Sequence, residues 1–195
     1  LLIPSRGSHS VDVSIYVKAG SRYENEKNNG IAHFLEHMTF KGTKTYPTQF
    51  EMMSMIEGMG ALFDGGTSHE MVNYYINAES SNVKLIISML YEMLFESKLN
   101  SSDIEKEKGV IIEEINMYND IPEDKVQLLG DKITWENHPL GRNIAGTKEN
   151  VSSFVREDFT AYKEGLFSAS NIVIGVSGKF NEEEVVELLE KSFGK

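Results

Sequence analysis

The segment His33-Phe34-Leu35-Glu36-His37 contains two histidines four residues apart, with a glutamate directly before the second. On an α-helix such residues lie on one face with Cβ atoms about 6 Å apart, so two imidazoles can bind one metal ion. Glu36 lies on the flank of the same face, where a carboxylate can hold a metal-bound water molecule. The spacing therefore predicts a helix that carries a metal site. The alternatives are a chance match and a pair of histidines on an ordinary helix.

A catalytic zinc site needs a third protein ligand, and a carboxylate is a common one. The segment 102–119 predicts a helix whose apolar stripe, when continued, includes Glu107 and Glu114, whereas Glu113 is rotated away. The apolar positions are Val110, Ile111 and Tyr118. A carboxylate that faces inward must be paired or must bind a metal, because burying it alone is costly. Glu107 and Glu114 are therefore better candidates than Glu113, although a stripe that ends in solvent fits the spacing equally well.

Composition limits the classes of function. The chain has 195 residues and 40% hydrophobic residues, which suffices for one domain spanning residues 1–195 with a real core. The absence of cysteine excludes thiolate zinc sites, thiol catalysis and disulfides. The net charge of −11 repels nucleic acid and anionic membranes and attracts basic partners. No apolar run approaches the roughly 20 residues of a membrane span.

The chain begins at Leu1, without an initiator methionine or a recognisable signal peptide. We therefore expect a processed or trimmed piece of a longer protein. Targeting cannot be read from such a sequence. The cytoplasm or an organelle matrix is the expected location.

Hydrophobic periodicity predicts a mixture of strands and helices without strict βαβ alternation. Asn28 or Asn29 is expected to cap the histidine helix, Pro47 to open the next helix, and Ser101 or Ser102 to cap the helix that carries Glu114. The predicted strands are 10–18, 61–64, 72–78 and 172–177. The predicted helices are 30–40, one from 47 with a stripe at Phe50, Met53, Ile56 and Met59, 80–96, 102–119, 123–137, 156–164 and 181–193. This arrangement favours an α+β domain with a largely antiparallel sheet packed against helices.

Three further polar residues are interpreted as structural. His69 is expected to be a loop residue, and His138 to make a structural contact within a polar loop. Arg142 could bind a carboxylate or a substrate, or could equally anchor its own loop.

The order H-x-x-E-H is typical of inverzincin metallopeptidases, and the sequence around it resembles the pitrilysin-type peptidases, especially the mitochondrial processing peptidase β-subunit branch and its bacterial relatives. Four segments carry the resemblance, and together with the strand and helix at the end they extend it over nearly the whole chain. They are HFLEHMTFKGT at 33–43, KAGSRYE at 18–24, EKGVIIEEI at 107–115 and HPLGRNIAG at 138–146.

The resemblance implies a zinc-dependent endopeptidase domain that hydrolyses unfolded peptides, including basic ones. It implies one Zn²⁺ per chain held by His33, His37 and Glu114. Glu36 would be the general base that activates the zinc-bound water. Glu107 would be a second catalytic-site glutamate, which orients a ligating imidazole.

The sequence departs from the family pattern in two ways. Members are about twice this length, and two similar halves form a clamshell, so this chain would be the first half and would need a second homologous domain or subunit. Furthermore, residues 63–67 read Phe-Asp-Gly-Gly-Thr where the family has Leu-Asn-Ala-aromatic-Thr. Two glycines weaken a strand, which puts capture of a peptide as an added strand in doubt. A non-catalytic peptide-binding or scaffold subunit and an inert half are the alternative functions.

Overall fold

A computed structural model describes residues 1–194, so Lys195, the last residue of the predicted domain, lies outside the described part. The centre of the fold is a five-stranded sheet with the strand order β1-β5-β2-β4-β3. The strands are β1 (Leu2–Pro4), β2 (Ser10–Val17), β3 (Leu62–Thr67), β4 (Val72–Glu79) and β5 (Ile172–Gly178). β1 pairs with β5 in parallel, and the other three adjacent pairs are antiparallel. The predicted α+β class with a largely antiparallel sheet is confirmed.

Eight α-helices accompany the sheet within the described residues. They are α1 (Ile31–Thr39), α2 (Gln49–Gly58), α3 (Val83–Phe95), α4 (Ser101–Asp120), α5 (Pro122–Thr134), α6 (Lys148–Ser153), α7 (Arg156–Leu166) and α8 (Glu182–Phe193). Short 3₁₀ turns at Ser21–Tyr23, Ser80–Asn82, Pro139–Gly141 and Ala169–Asn171 connect several of these elements. None of the helices in this part of the chain is both long enough and apolar enough to cross a membrane.

One face of the sheet forms the core, because the central strands alternate in polarity with the period of two that a pleated strand imposes. Val13 and Ile15 of β2 are buried beside Tyr74 and Ile76 of β4. Helix α3 packs against β2 and β4, and α1 packs against β3 and β4. This packing fixes α1, which carries the H-x-x-E-H sequence, beside the edge strand β3.

The N-terminus of α1 is capped differently from the prediction. The side chain of Asn29 donates to Glu24 and to the Asn143 carbonyl, so neither Asn29 nor Asn28 caps the helix. Instead, the buried carboxylate of Glu24 accepts hydrogen bonds from the backbone amides of Gly30 and Ala32. A carboxylate suits this position because helix N-terminal amides are unpaired and carry partial positive charge.

The prediction for α2 was wrong in two details. Pro47 precedes the N-cap, which is Thr48, and Thr48 forms a capping box with Glu51. The fully buried positions are Met52 and Ile56, whereas the predicted stripe residue Phe50 is 79% exposed. The capping signal T-x-x-E therefore marks the start of this helix better than the proline does.

Helix α4 and strand β3 also differ from their predicted ends. The N-cap of α4 is Asn100 rather than Ser101 or Ser102. β3 continues to Thr67 through both glycines, because ladder hydrogen bonds need only the backbone. At Gly65 an added Cβ would lie 2.9 Å from Cε2 of Phe40, so the glycine allows the ring at the end of α1 to pack against the strand. The end of β3 thereby lies beside α1.

Candidate metal centre

Helices α1 and α4 bring three of the predicted residues together. Nε2 of His33 lies 3.5 Å from Oε1 of Glu114, and Nε2 of His37 lies 3.5 Å from Oε2 of the same carboxylate. The two imidazole rings have centroids 4.7 Å apart. One potential ligand atom from each of the three residues falls within 4.8 Å of the others. The cluster therefore joins residues that are remote in sequence and lie on two separate helices.

The phase of α4 explains which of its glutamates faces the histidines. Its buried positions are Ile104, Glu107, Ile111 and Ile115, and Glu114 is partly buried beside them with a side chain 22% exposed. Glu113 is exposed and accepts a hydrogen bond from Asn116. The preference for Glu107 and Glu114 over Glu113 thus agrees with the phase of the helix. The inclusion of Val110 in the inward stripe was wrong, because that residue is 52% exposed.

Glu107 contacts His37 from the side opposite Glu114. Its Oε1 lies 2.9 Å from Nδ1 of His37, and its Oε2 lies 2.6 Å from Nζ of Lys41. Burial alone would raise the pKa of Glu107, but the hydrogen bonds from His37 and Lys41 outweigh it and hold the pKa below its ordinary value. Sequence analysis missed Lys41, although its position four residues after His37 was a readable signal.

The charges around the cluster shift two further pKa values. Burial would lower the pKa of His37, but the hydrogen bond to Glu107 and the charge of Glu114 raise it overall. The pKa of Glu114 is lowered, first by its hydrogen bond with His33, against the opposing effect of burial. Tyr118 lies one turn along α4, and its own pKa is raised by burial and by the charge of Glu114.

Glu36 lies in the same cavity as the cluster but is held by another element. Oγ1 of Thr67, at the end of β3, donates a hydrogen bond of 2.6 Å to Oε2 of Glu36. A cavity of about 830 Å³ is lined by these two residues together with His33, His37 and Glu114, and its far wall comes from α5 and the loop around Arg142. Sequence analysis did not find this role of Thr67, because the pairing that delivers it to α1 is a tertiary contact.

The other polar residues considered in the sequence make structural contacts. Nδ1 of His69 lies 2.9 Å from Oγ of Ser21, and Nδ1 of His138 accepts a hydrogen bond from the Leu140 amide. Arg142 donates to the Glu24 carbonyl at 2.6 Å and so anchors its loop to the start of α1. His69 and Arg142 also line the cavity, so both can meet a bound molecule.

The protonation of His37 is a test of whether the cluster fits a metal ion. A carboxylate accepts hydrogen bonds only, so Nδ1 of His37 carries the proton that faces Glu107. In the neutral imidazole Nε2 is then an acceptor, and it faces an oxygen of Glu114, which is also an acceptor. Either a second proton on the ring or a metal ion between the two atoms resolves this conflict. Two imidazoles and one carboxylate form a ligand set found in catalytic zinc sites, so the residues fit zinc.

The fold and the cluster together define a class of protein: an α+β domain with two histidines and one glutamate that could hold a metal ion, and a further glutamate in the same cavity. The chain belongs to peptidase family M16, the insulinase family. The family model described as Insulinase (Peptidase family M16) matches residues 1–148, and the model described as Peptidase M16 inactive domain matches residues 153–195. The resemblance to pitrilysin-type peptidases is thereby confirmed.

Two relatives have names that agree with this family. The bovine (Bos taurus) mitochondrial-processing peptidase subunit beta is 37% identical over 97% of this chain and 38% of its own length. A Bacillus subtilis (strain 168) protein named uncharacterized zinc protease YmxG is 36% identical over 95% of this chain and 45% of its own length. The chain thus spans less than half the length of these relatives.

Two solved structures share the fold. A protease from Helicobacter pylori superposes with a TM-score of 0.92 at 23% identity, over 98% of this chain and 46% of its own chain. Pitrilysin superposes with a TM-score of 0.87 at 20% identity, over 99% of this chain and 21% of its own. At these identities the likeness shows the fold, and it confirms the predicted fold of one half of a clamshell peptidase.

Proposed function

We propose that residues 1–195 form a single zinc-binding peptidase domain that holds one Zn²⁺ through His33, His37 and Glu114. The observation that carries this proposal is the approach of both Nε2 atoms to the two oxygens of Glu114, at 3.5 Å each. The zinc-protease name of the Bacillus relative supports the choice of metal. The domain's reaction is the hydrolysis of peptide bonds.

Glu36 is the proposed general base. When bound, zinc would supply Lewis acidity to a water molecule and to the carbonyl of the substrate. Thr67 occupies Oε2 of Glu36 with its hydroxyl, so Oε1 is the oxygen left to take a proton from the attacking water. Glu36 then delivers this proton to the leaving amine. Glu107 acts indirectly, through His37. Its contact with Nδ1 of His37 orients the Nε2 atom of that ring toward Glu114.

The proposed substrate is an unfolded peptide, including basic ones. β3 lies at one edge of the described sheet, so an extended peptide can pair with its outer side while its scissile bond reaches the cavity. The continuity of β3 through Gly65 and Gly66 supports this mode of binding, which the glycines had put in doubt. The net charge of −11 favours peptides of opposite sign. The relatives include both mitochondrial and bacterial proteins, so an organelle matrix and the cytoplasm are both retained as proposed locations.

The specific alternative is that the isolated chain is an inert half. Its matches cover only 38% and 45% of the two relatives, which favours a requirement for a second homologous domain or subunit. A purely structural scaffold is less well supported, because a scaffold has no use for a glutamate held in the cavity beside the metal centre.

Substituting Glu36 and Glu114 tests the metal site and the base separately. We expect one zinc per wild-type chain, full zinc retention in Glu36→Gln and loss of zinc in Glu114→Ala. Cleavage of a fluorogenic peptide, measured with the second half present, should fall by about 10²–10⁴-fold in Glu36→Gln.

Glu113→Ala is the matched control, since this neighbouring glutamate is exposed and points away from the histidines. It should keep both zinc and activity. Full activity in Glu36→Gln would refute the role of the base. Retention of tightly bound zinc in Glu114→Ala would refute the ligand set.

A further inference from the structure

Lys41 extends the metal-binding face of α1 by one more turn. His33, His37 and Lys41 follow one another at intervals of four residues, and the turn after α1 keeps the lysine on the same side, where its Nζ reaches α4. On α4, Glu114 and Glu107 are seven residues, or about two turns, apart. Glu114 therefore meets the two imidazoles, and Glu107 meets His37 and Lys41.

The two oxygens of Glu107 have one partner each. Oε1 contacts Nδ1 of His37 at 2.9 Å, and Oε2 contacts Nζ of Lys41 at 2.6 Å. A carboxylate held at one oxygen can still rotate about its last bond, whereas contacts at both oxygens fix its plane. The side chain of Glu107 is 6% exposed, so water offers little replacement if the lysine is removed.

Lys41 is itself held in place. Its Nζ donates to Oε1 of Gln49, the first residue of α2, at 3.3 Å. The lysine therefore connects the N-terminus of α2 with α4 and with the end of α1. An ammonium group fixed in this way has a defined position relative to His37.

The two imidazoles are supported unequally. Nδ1 of His37 has Glu107 as its partner, whereas Nδ1 of His33 is buried without a hydrogen-bond partner in the described part of the chain. The orientation of the imidazole pair by hydrogen bonds thus depends on Glu107, and the orientation of Glu107 depends on Lys41.

We propose that Lys41 is a positioning residue: it locks the Glu107 carboxylate so that His37 keeps its proton on Nδ1 and presents Nε2 to the metal centre. This inference rests on the proposed function, because the metal site is what the orientation serves. Lys41 contacts no substrate and takes no part in the proton transfers.

The test compares the 195-residue chain with Lys41→Met, Lys41→Gln and Lys41→Arg, and uses Lys44→Met as the control. Lys44 is an exposed lysine three residues further along the chain. The first measurement is the imidazole ¹⁵N spectrum of the zinc-free chain at a pH above the raised pKa of His37, where the ring is neutral and the spectrum reports its tautomer. The second is the zinc dissociation constant from competition with a chelator. Glu107→Gln shows what loss of the carboxylate does to both measurements.

We expect Lys41→Met and Lys41→Gln to give mixed tautomers of His37 and to weaken zinc binding by about 10-fold or more. Lys41→Arg should restore the single tautomer, and Lys44→Met should match wild type. An unchanged His37 spectrum in a folded Lys41→Met or Lys41→Gln chain would overturn the inference. A wild-type chain that binds no zinc would instead overturn the proposed function, while the zinc-free spectra would still decide the role of Lys41.

Discussion

The imidazole of His37 contacts two carboxylates of α4, and each contact affects its protonation. Nδ1 lies against Glu107, and Nε2 faces Glu114. Without a metal ion, both carboxylates stabilise the doubly protonated ring, which explains why the pKa of His37 is raised despite its burial. If zinc binds as proposed, protons and zinc would compete for the same Nε2 atom.

This competition predicts different pH dependences for the zinc-free and the zinc-loaded chain. The pKa of His37 lies above its ordinary value of 6.5, so its contribution to stability is complete below pH 6.5 and is lost as pH rises through the higher native pKa. We expect the free energy of unfolding of the zinc-free chain, measured with urea, to fall as pH rises above 6.5. With saturating zinc it should instead rise as pH approaches 6.5 and then stay nearly level, because the zinc-loaded chain holds no proton on Nε2 of His37 and the unfolded chain loses its own proton near pH 6.5.

The His37→Gln variant is the control for this prediction, because glutamine can still donate to Glu107 but cannot titrate. Its zinc-free stability should vary less with pH over this window. Glu107 and Glu114 affect the stability of the chain only at lower pH. The pKa values of Glu107 and Glu114 lie below their ordinary value of 4.5, so their contribution is present above pH 4.5 and is lost only as pH falls through the lower native values. An unaltered slope in His37→Gln would contradict the assignment of the effect to His37.

At the scale of elements, the site depends on how α1 is fixed at its two ends. Glu24 caps the N-terminus, and the loop that contains Arg142 and Asn143 is bound to the same region. At the other end, Phe40 packs on β3 and Lys41 binds α4. The histidines lie between these two sets of contacts, so losing either set should change the positions of the imidazoles in the candidate metal centre.

Removing the cap on α1 should destabilise the chain measurably. In Glu24→Ala, the amides of Gly30 and Ala32 lose their acceptor in a buried environment, and the side chain of Asn29 loses one of its two acceptors. We expect a loss of about 2–4 kcal/mol in the free energy of unfolding, measured with urea. Glu26→Ala, at an exposed glutamate two residues away, should change it by less than about 0.5 kcal/mol. Equal effects in the two variants would show that the Glu24 cap makes no particular contribution to the free energy of unfolding.

At the scale of the whole molecule, the chain spans less than half the length of its relatives. It contains the candidate metal centre, the proposed base and one edge strand, and it covers 46% of the Helicobacter protease chain. Helix α5, which forms part of the cavity wall, has apolar residues at its surface, including Ile133 at 77% exposure. A peptide bound here would be held from one side, which is a poor arrangement for orienting a scissile bond.

We therefore expect the isolated chain to bind zinc and yet to cleave peptide poorly. Adding a homologous second half should raise the rate of cleavage of a fluorogenic peptide by at least about 100-fold, since orientation of the substrate contributes on that scale. A mixture of the second half with Glu36→Gln should remain inactive, which excludes cleavage by the second half itself. Comparable activity of the isolated chain would show that this half alone orients the substrate.

The sequence by itself determined the class of fold and the spacing of the candidate metal ligands on α1. The interval from His33 to His37 matches the helical repeat, and alternating polarity identified β2 and β4, because both periodicities are local properties of the backbone. Helix phase also favoured Glu114 over Glu113. The capping rule failed at α1: Asn29 resembled a cap, but the acceptor comes from Glu24, which precedes the usual capping positions.

Only the tertiary structure decided what lies around these residues. Spacing along α4 could not distinguish a buried Glu107 from a solvated one, because burial depends on the helix that packs against it. Nor could the sequence tell that Thr67 binds Glu36 or that Lys41 binds Glu107, since each pair is joined by packing of separate elements. Sequence fixes which groups are available, whereas the free energy of a buried contact depends on geometry that the packed chain alone supplies.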